Sequence, residues 1–91
     1  MESLESILEL TLRELGIEKS MKRYQALWIW PKVVGDRIAE VTEPQRVSEG
    51  KLFIRVKNDT WRNELVYYKP KIIKKLNTKL GAPVIEDIIF I

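Results

Sequence analysis

The stretch Glu49–Trp61, EGKLFIRVKNDTW, decides the fold class of this chain of 91 residues. Its Lys51–Lys57 part alternates basic or aromatic residues with an apolar set, namely Leu52, Ile54 and Val56. Alternation with a period of two predicts a β-strand that buries one face. Glu49-Gly50 before the strand predicts a hairpin turn, and Asn58 or Asp59 after it is a typical start of a helix. A strand between a turn and a helix predicts a mixed α+β fold.

The residues before this stretch supply a helix and the other arm of the hairpin. Thr42–Val47 is the predicted first arm, and Pro44 places it at a sheet edge because proline lacks a ladder donor. Upstream, residues 20–41 show apolar residues at helical spacing. Pro31 lies inside that pattern and either kinks the helix or begins a new one. Gly35 predicts a close approach of another backbone.

The residues after it predict two helices and a last strand. Apolar residues from Trp61 to Leu80 recur at helical spacing, and Pro70 divides them into two helices because proline disturbs a helix interior. Trp61 opens the apolar stripe and is expected in the core. Gly81 ends the second helix. Val84–Ile91 is the predicted final strand, whose apolar run indicates burial on both faces or an interface.

The length predicts a single domain over residues 1–91. Residues 1–18 form its predicted N-terminal amphipathic helix, and residues 19–91 its core. The apolar face of the helix consists of Leu4, Ile7, Leu8, Leu12 and Leu15. One interpretation is a helix docked on the core with a solvated acidic face. The other is a docking handle for a basic partner, with Glu5 and Glu9 as candidate partner-binding residues.

The composition argues against catalysis. The chain has neither cysteine nor histidine, which removes thiol and imidazole chemistry, disulfides and most metal sites. We therefore expect no enzyme activity, no cofactor and no metal. No apolar run approaches the roughly 20 residues of a membrane span. The acidic N-terminus does not resemble a signal peptide, so we expect a soluble cytoplasmic protein that does not bind membranes.

The net charge of +3 conceals a strong asymmetry along the chain. Residues 1–18 carry five acidic and one basic side chain, whereas residues 61–81 carry one acidic and six basic. The basic cluster consists of Arg62, Lys69, Lys71, Lys74, Lys75 and Lys79. Lys71, Lys75 and Lys79 share one helical stripe because they are four residues apart. Such a row is a candidate phosphate-binding surface, and the alternative is an ordinary solvated face.

The second strand adds a basic face with an aromatic residue. Lys51, Arg55 and Lys57 are further candidate nucleic-acid contacts, since they share that face with Phe53. Aromatic and basic side chains together are typical of single-strand binding, in which bases stack and phosphates are neutralised. Phe53 is therefore a candidate stacking residue, and so is Tyr67 in the junction between the two predicted helices.

Trp28 is a candidate partner-binding residue. Trp28 and Trp30 are two positions apart in a predicted helix, so they do not face the same side. Core packing is the ordinary role of a tryptophan, but an exposed one at position 28 would mark an interface.

Three blocks of residues occur in an order that resembles the DciA family. The first contains Trp30–Gly35, Ile38-Ala39 and Thr42–Pro44. The second contains Gly50–Val56, Asn58–Trp61 and Glu64-Leu65. The third contains Lys71–Ile73, Leu76-Asn77 and Leu80-Gly81. The resemblance covers roughly residues 20–91.

This resemblance implies a role at the bacterial replication fork. DciA proteins are operators or loaders of the replicative helicase, and they bind single-stranded and structured DNA. The implied fold is K-homology-like: a small three-stranded mixed sheet packed by helices, in the type II order α-β-β-α-α-β, here with an extra N-terminal helix. The junction at Val66–Lys71 has no Gly-x-x-Gly turn, so DNA contact is expected to rest on lysine side chains. Many family members carry a flexible extension that helps to engage the helicase, whereas this chain ends at Ile91. We expect either that helicase contact uses the globular body, with the acidic first helix as the candidate, or that a full-length product is longer.

The leading hypothesis is a non-enzymatic DNA-replication factor that binds single-stranded DNA and the replicative helicase and assists helicase loading. One alternative is a protein-only adapter that does not bind nucleic acid. Another is an RNA-binding K-homology-like module. The sequence leaves the oligomeric state open.

Overall fold

The computed structural model describes residues 3, 4, 6–8, 10 and 18–91. Residues 4, 6–8 and 10 are helical. The following elements are α1 (Glu18–Val34), α2 (Asp36–Val41), β1 (Thr42–Ser48), β2 (Lys51–Val56), α3 (Asp59–Val66), α4 (Lys69–Leu80) and β3 (Asp87–Phe90). Helices on a three-stranded mixed sheet confirm the predicted α+β class. The likeness to the K-homology fold stays a prediction.

Helix α1 runs through Pro31 and breaks at Gly35 instead. Gly35 has φ +86°, a left-handed conformation that side chains disfavour, so this residue separates α1 from α2. Its N–H still donates to the Pro31 carbonyl at 3.0 Å, and its own carbonyl accepts from Ala39 at 2.9 Å. The predicted close approach at Gly35 is wrong, because no described atom lies within 4 Å of where its Cβ would be. Gly35 is required for its backbone angle.

The predicted hairpin is confirmed, and it forms two of the three strands. Glu49 and Gly50 have φ of 50° and 77°, as a two-residue turn between twisted strands requires. The strand order is β1-β2-β3, with β1 antiparallel and β3 parallel to β2. Strand β1 is therefore an edge strand, as Pro44 predicted. The register shifts between Pro44 and Arg46, which forms a bulge.

Both predicted helices after the hairpin are confirmed. The Asn58 side chain caps α3 by accepting from the Trp61 N–H at 2.9 Å. Pro70 lies in the first turn of α4, where a missing N–H costs nothing. Gly81 ends α4 in a left-handed conformation, and its N–H donates to the Asn77 carbonyl at 2.9 Å.

The core lies between one face of the sheet and the helices. Trp30 is completely buried, and its Nε1–H donates to the Thr42 hydroxyl at 2.9 Å. The buried apolar residues are Ala26, Trp30, Leu52, Ile54, Val56, Leu65, Ile72, Leu76, Leu80, Ile85 and Ile88. Trp61 only packs against this core. Trp61 was predicted in the core but is only half-buried at its edge, with the Arg37 guanidinium 5.6 Å from the ring centroid.

The C-terminal strand is shorter than predicted and buries one face only. Strand β3 spans Asp87–Phe90, and Ile88 is completely buried beside its partner Leu52. Ile89, which pairs with Phe53, is half-buried, so burial on both faces is wrong. Among the described residues, strand β3 pairs with β2 alone and forms the other sheet edge.

The Asn77 side chain ties α4 to the segment before β3. Its Nδ2 donates to the Ile85 carbonyl and its Oδ1 accepts from the Ile85 N–H, both at 2.9 Å. The side chain of Ile85 is buried in the core. Asn77 thus satisfies both polar backbone groups of a buried residue.

Candidate nucleic-acid interface

A groove with five lysines lies along α4 and the end of α1. Four of these lysines come from α4 and are exposed, because they lie outside the face of that helix that buries Ile72 and Leu76. The fifth, Lys32, comes from the last turn of α1. The groove, which we call the lysine groove, has a volume of about 590 Å³ and is lined by Lys32, Val33, Lys71, Lys74, Lys75, Thr78 and Lys79.

The charges of the lysine groove are not neutralised within the described part of the chain. No carboxylate is among its lining residues. None of its five lysines forms an ion pair with another described residue. The Thr78 hydroxyl donates to the Lys74 carbonyl at 2.8 Å, so that side chain is held by its own helix. The groove therefore presents ammonium groups whose counterions come from solution, and an incoming polyanion would release them.

Arg62 is not part of this surface. It forms an ion pair with Asp59, and its Nη2 lies 3.5 Å from the Val56 carbonyl. Its Nε is buried and has no hydrogen-bond partner among the described residues. The Arg62 side chain lies against β2 and the start of α3 and does not line the lysine groove, and its nucleic-acid contact stays a prediction.

The Lys69 side chain also contacts other parts of the protein. Its Nζ lies 3.6 Å from an Asp87 carboxylate oxygen and 5.6 Å from the centroid of the Phe90 ring. These contacts join the start of α4 to β3. Lys69 does not line the lysine groove, and its nucleic-acid contact stays a prediction.

The predicted basic strand face exists, and a cation already covers its aromatic residue. Lys51 and Arg55 are exposed on β2 on either side of the half-buried Phe53, and Lys57 is exposed just after it. The Arg46 guanidinium lies 4.2 Å from the centroid of the Phe53 ring. A base that stacked on Phe53 would have to displace Arg46 or stack on its guanidinium. We call this surface the open sheet face.

The lysine groove and the open sheet face lie on opposite sides of the molecule. Leu52 and Ile54 of β2 enter the core that α4 covers, whereas the alternate residues of β2 point away from it. The structure therefore does not bring Lys51, Arg55 and Lys57 together with the α4 lysines. They are two separate candidate surfaces.

The structure exposes two further predicted residues. Tyr67 is exposed in the turn between α3 and α4, as a stacking residue requires. Trp28 is exposed on α1 while Trp30 is buried, which confirms that the two rings face different sides. Glu5 and Glu9 lie outside the described residues.

None of the helices in the described part of the chain has the length and apolar character that a bilayer crossing requires.

Comparison with known proteins supports the resemblance seen in the sequence. The model of a family described as "Dna[CI] antecedent, DciA" matches residues 3–90, nearly the whole chain. The chain belongs to the DciA family. That family is associated with the loading of the replicative helicase. The residue blocks that carried the resemblance therefore belong to a DciA domain.

Two curated DciA relatives are longer than this chain. A UPF0232 protein from Corynebacterium glutamicum is 26% identical over 87 residues, which cover 96% of this chain and 49% of that protein. A UPF0232 protein from Streptomyces avermitilis is 33% identical over 54 residues, which cover 57% of this chain and 30% of that protein. These matches thus span half or less of each relative.

Sequence reasoning missed two residues of this DciA domain. Lys32 joins the lysine groove from a helix that is distant in sequence, and only the packing of α1 beside α4 reveals it. Arg46 covers Phe53 because the two residues are cross-strand partners after the bulge. The two-residue turn at Glu49-Gly50 gave a sequence signal for this pair, because it sets Arg46 opposite Phe53, and the bulge shifts only the pairs beyond Arg46.

Proposed function

We propose that this chain is a non-enzymatic DNA-replication factor that binds single-stranded DNA and the replicative helicase and assists helicase loading. The lysine groove carries this proposal, because five lysines without a lining carboxylate are suited to a phosphate backbone. Membership of the DciA family supports the helicase part of the proposal. A protein-only adapter and an RNA-binding module remain the alternatives that experiments must exclude.

If DNA binds at the lysine groove, its affinity should fall with salt concentration in a way that can be calculated. Each lysine that neutralises a phosphate of a single strand contributes about −0.7 to the slope of log K against log salt concentration. Lysine side chains bind phosphate without reading bases, so we expect little sequence preference. The exposed Tyr67 lies at the end of α3, just before α4, and would add stacking to this contact.

We expect the variant Lys71→Gln/Lys75→Gln/Lys79→Gln to bind single-stranded DNA more weakly and with a slope flatter by about 2. Fluorescence anisotropy of a labelled oligonucleotide at several salt concentrations measures both quantities. The matched control is Lys51→Gln/Arg55→Gln/Lys57→Gln, which removes the same charge from the opposite side of the molecule. We expect the control to retain most of the parent slope.

A flatter slope in the control variant, together with an unchanged slope in the lysine-groove variant, would place DNA on the open sheet face. An unchanged slope in both variants would contradict both surfaces. Competition between RNA and DNA of the same sequence separates the RNA-binding alternative, since a preference for RNA requires contact with the 2′-hydroxyl.

The helicase contact is proposed for the exposed Trp28 and the acidic residues Glu5 and Glu9. Titration of the replicative helicase with this chain, with and without single-stranded DNA, tests it. We expect saturable binding that Trp28→Ala weakens at least tenfold, which corresponds to about 1.4 kcal/mol and is typical of an interfacial tryptophan. Helicase binding without measurable DNA affinity at low salt would favour the protein-only adapter. No helicase binding would contradict the loading role.

A further inference from the structure

A further groove lies between α2 and α3, away from the lysine groove. Its volume is about 690 Å³, within the range of about 300–1,000 Å³ that is typical of ligand-binding clefts. Val34, Ile38 and Trp61 line it as half-buried side chains that pack against the core. The groove shares no lining residue with the lysine groove and includes neither Trp28 nor any residue of β2. We call it the Trp61 groove.

Both walls of the Trp61 groove are fixed by the local backbone. Gly35 separates α1 from α2 and leaves open space beside its Cα, because no described atom lies within 4 Å of where a Cβ would be. On the other wall, the Asn58 side chain caps α3 by accepting from the Trp61 N–H at 2.9 Å. The groove is therefore formed before a partner binds, so binding costs little ordering of the backbone.

The rim of the Trp61 groove carries two carboxylates that pair with no described cation. Asp36 lies on the α2 wall and Glu64 on the α3 wall, and both are exposed. Neither forms an ion pair with another described residue. The one cation among the described lining residues is Arg37, whose guanidinium lies 5.6 Å from the centroid of the Trp61 ring. Two carboxylates and one guanidinium give the lining a net charge of −1, which disfavours a phosphate backbone and favours a cationic partner.

Two aromatic residues supply the apolar part of the Trp61 groove. Trp61 is half-buried, and Tyr68, just before α4, is 43% exposed. Tryptophan and tyrosine are enriched at protein contacts because each offers a large apolar area with one polar group. An apolar centre surrounded by a charged rim is the usual arrangement of a protein contact site. The complementary partner presents a large apolar side chain flanked by arginine or lysine.

We propose that the Trp61 groove binds a short cationic segment of a partner protein, whose large apolar side chain contacts Trp61 and Tyr68. The flanking cations of that segment pair with Asp36 and Glu64. Arg37 already lies over the Trp61 ring, so the carboxylates and not the ring receive the incoming cations. This inference goes beyond the proposed function and requires neither DNA binding nor contact at Trp28.

The test is a titration of the isotope-labelled full chain with the acetylated and amidated peptide Gly-Arg-Phe-Arg-Gly, followed by two-dimensional NMR. The three tryptophans of the chain give three separate indole N–H signals. We expect the Trp61 signal to shift saturably while the signals of Trp28 and Trp30 stay in place. A peptide with glutamine in place of both arginines should bind more weakly, and one with glutamate should not bind.

A charge variant tests the two carboxylates. Asp36→Asn/Glu64→Gln should weaken binding of the arginine peptide about three- to tenfold, because two exposed ion pairs are lost. The matched control is Glu40→Gln/Glu43→Gln, which removes the same charge from exposed positions outside the Trp61 groove. It should bind the peptide like the parent.

An aromatic variant tests the apolar contact. Tyr68→Ala should weaken the peptide, whereas Tyr67→Ala, at the exposed neighbouring position outside the groove, should not. The variant Lys71→Gln/Lys75→Gln/Lys79→Gln should bind the peptide like the parent. Peptide binding therefore stands or fails separately from DNA binding at the lysine groove.

Each other outcome overturns the proposal. An immobile Trp61 signal at millimolar peptide would show that the groove does not bind this chemistry. Equal binding of the glutamate and arginine peptides, or equal loss in the two carboxylate variants, would show that Asp36 and Glu64 do not select the partner. Movement of the Trp28 signal in place of the Trp61 signal would assign the peptide to α1.

Discussion

Replacement of Trp30 by alanine is expected to lower the free energy of unfolding by about 3–5 kcal/mol. This is a large part of the stability of a small domain. The side chain is completely buried, and its Nε1–H donates to the Thr42 hydroxyl, which in turn donates to the Ile38 carbonyl at 2.7 Å. The variant loses the packing of an indole and the link between α1 and the first residue of β1. Urea unfolding followed by circular dichroism measures the change.

A second variant at Trp30 separates the loss of apolar packing from the loss of the hydrogen-bond donor, and a variant at an exposed aromatic residue serves as the control. Trp30→Phe keeps most of the apolar ring and removes the donor, so we expect a loss of about 1–3 kcal/mol. Tyr67→Ala removes an exposed aromatic ring and should stay within about 0.5 kcal/mol of the parent. If Trp30→Ala unfolded at the same urea concentration as the parent, the core described above would be wrong. Trp61→Ala should cost less than Trp30→Ala because Trp61 is only half-buried.

The second large effect is expected at Asn77, although this residue is polar and only half-buried. Asn77→Ala leaves the N–H and the carbonyl of Ile85 without their partners. An unsatisfied buried group costs about 1–3 kcal/mol, so we expect a total loss of about 2–5 kcal/mol in the same unfolding experiment.

Asn77→Asp tests the geometry of this contact. An ionised carboxylate accepts hydrogen bonds but cannot donate to the Ile85 carbonyl, so it restores at most one of the two bonds. It should therefore remain well below the stability of the parent. Asn63→Ala, at an exposed position of α3, is the matched control and should have little effect. Equal stability of Asn77→Ala and Asn63→Ala would refute the role of the Ile85 contact.

Local signals made much of the fold predictable. The turn at Glu49-Gly50, the cap at Asn58 and the stop at Gly81 depend on backbone angles or hydrogen bonds within a few residues. The effect of Pro31 on its helix was harder to predict. The free-energy cost of a proline inside a helix is opposed by tertiary packing of that helix, which the local sequence does not show. The burial of Trp30 holds α1 together through that position.

The candidate site was less predictable because its composition depends on long-range contacts. The spacing of Lys71, Lys75 and Lys79 was sufficient to place them on one exposed stripe. Lys69 has the same chemistry, yet it lies beside Asp87, which is distant in sequence. No count of charges along the chain distinguishes a lysine that is available for a ligand from one that joins two elements.

The length of α4 limits how DNA would be held. From Lys71 to Lys79 the helix rises about 12 Å, and a stacked strand rises about 3.4 Å per nucleotide along its axis. If DNA binds as proposed, the lysine groove would accommodate only three or four nucleotides. A footprint this small favours frequent release, so the domain would guide a strand briefly and then leave it free for a longer binding channel. Such a contact is suited to passing the strand to another binding site and not to holding it for long.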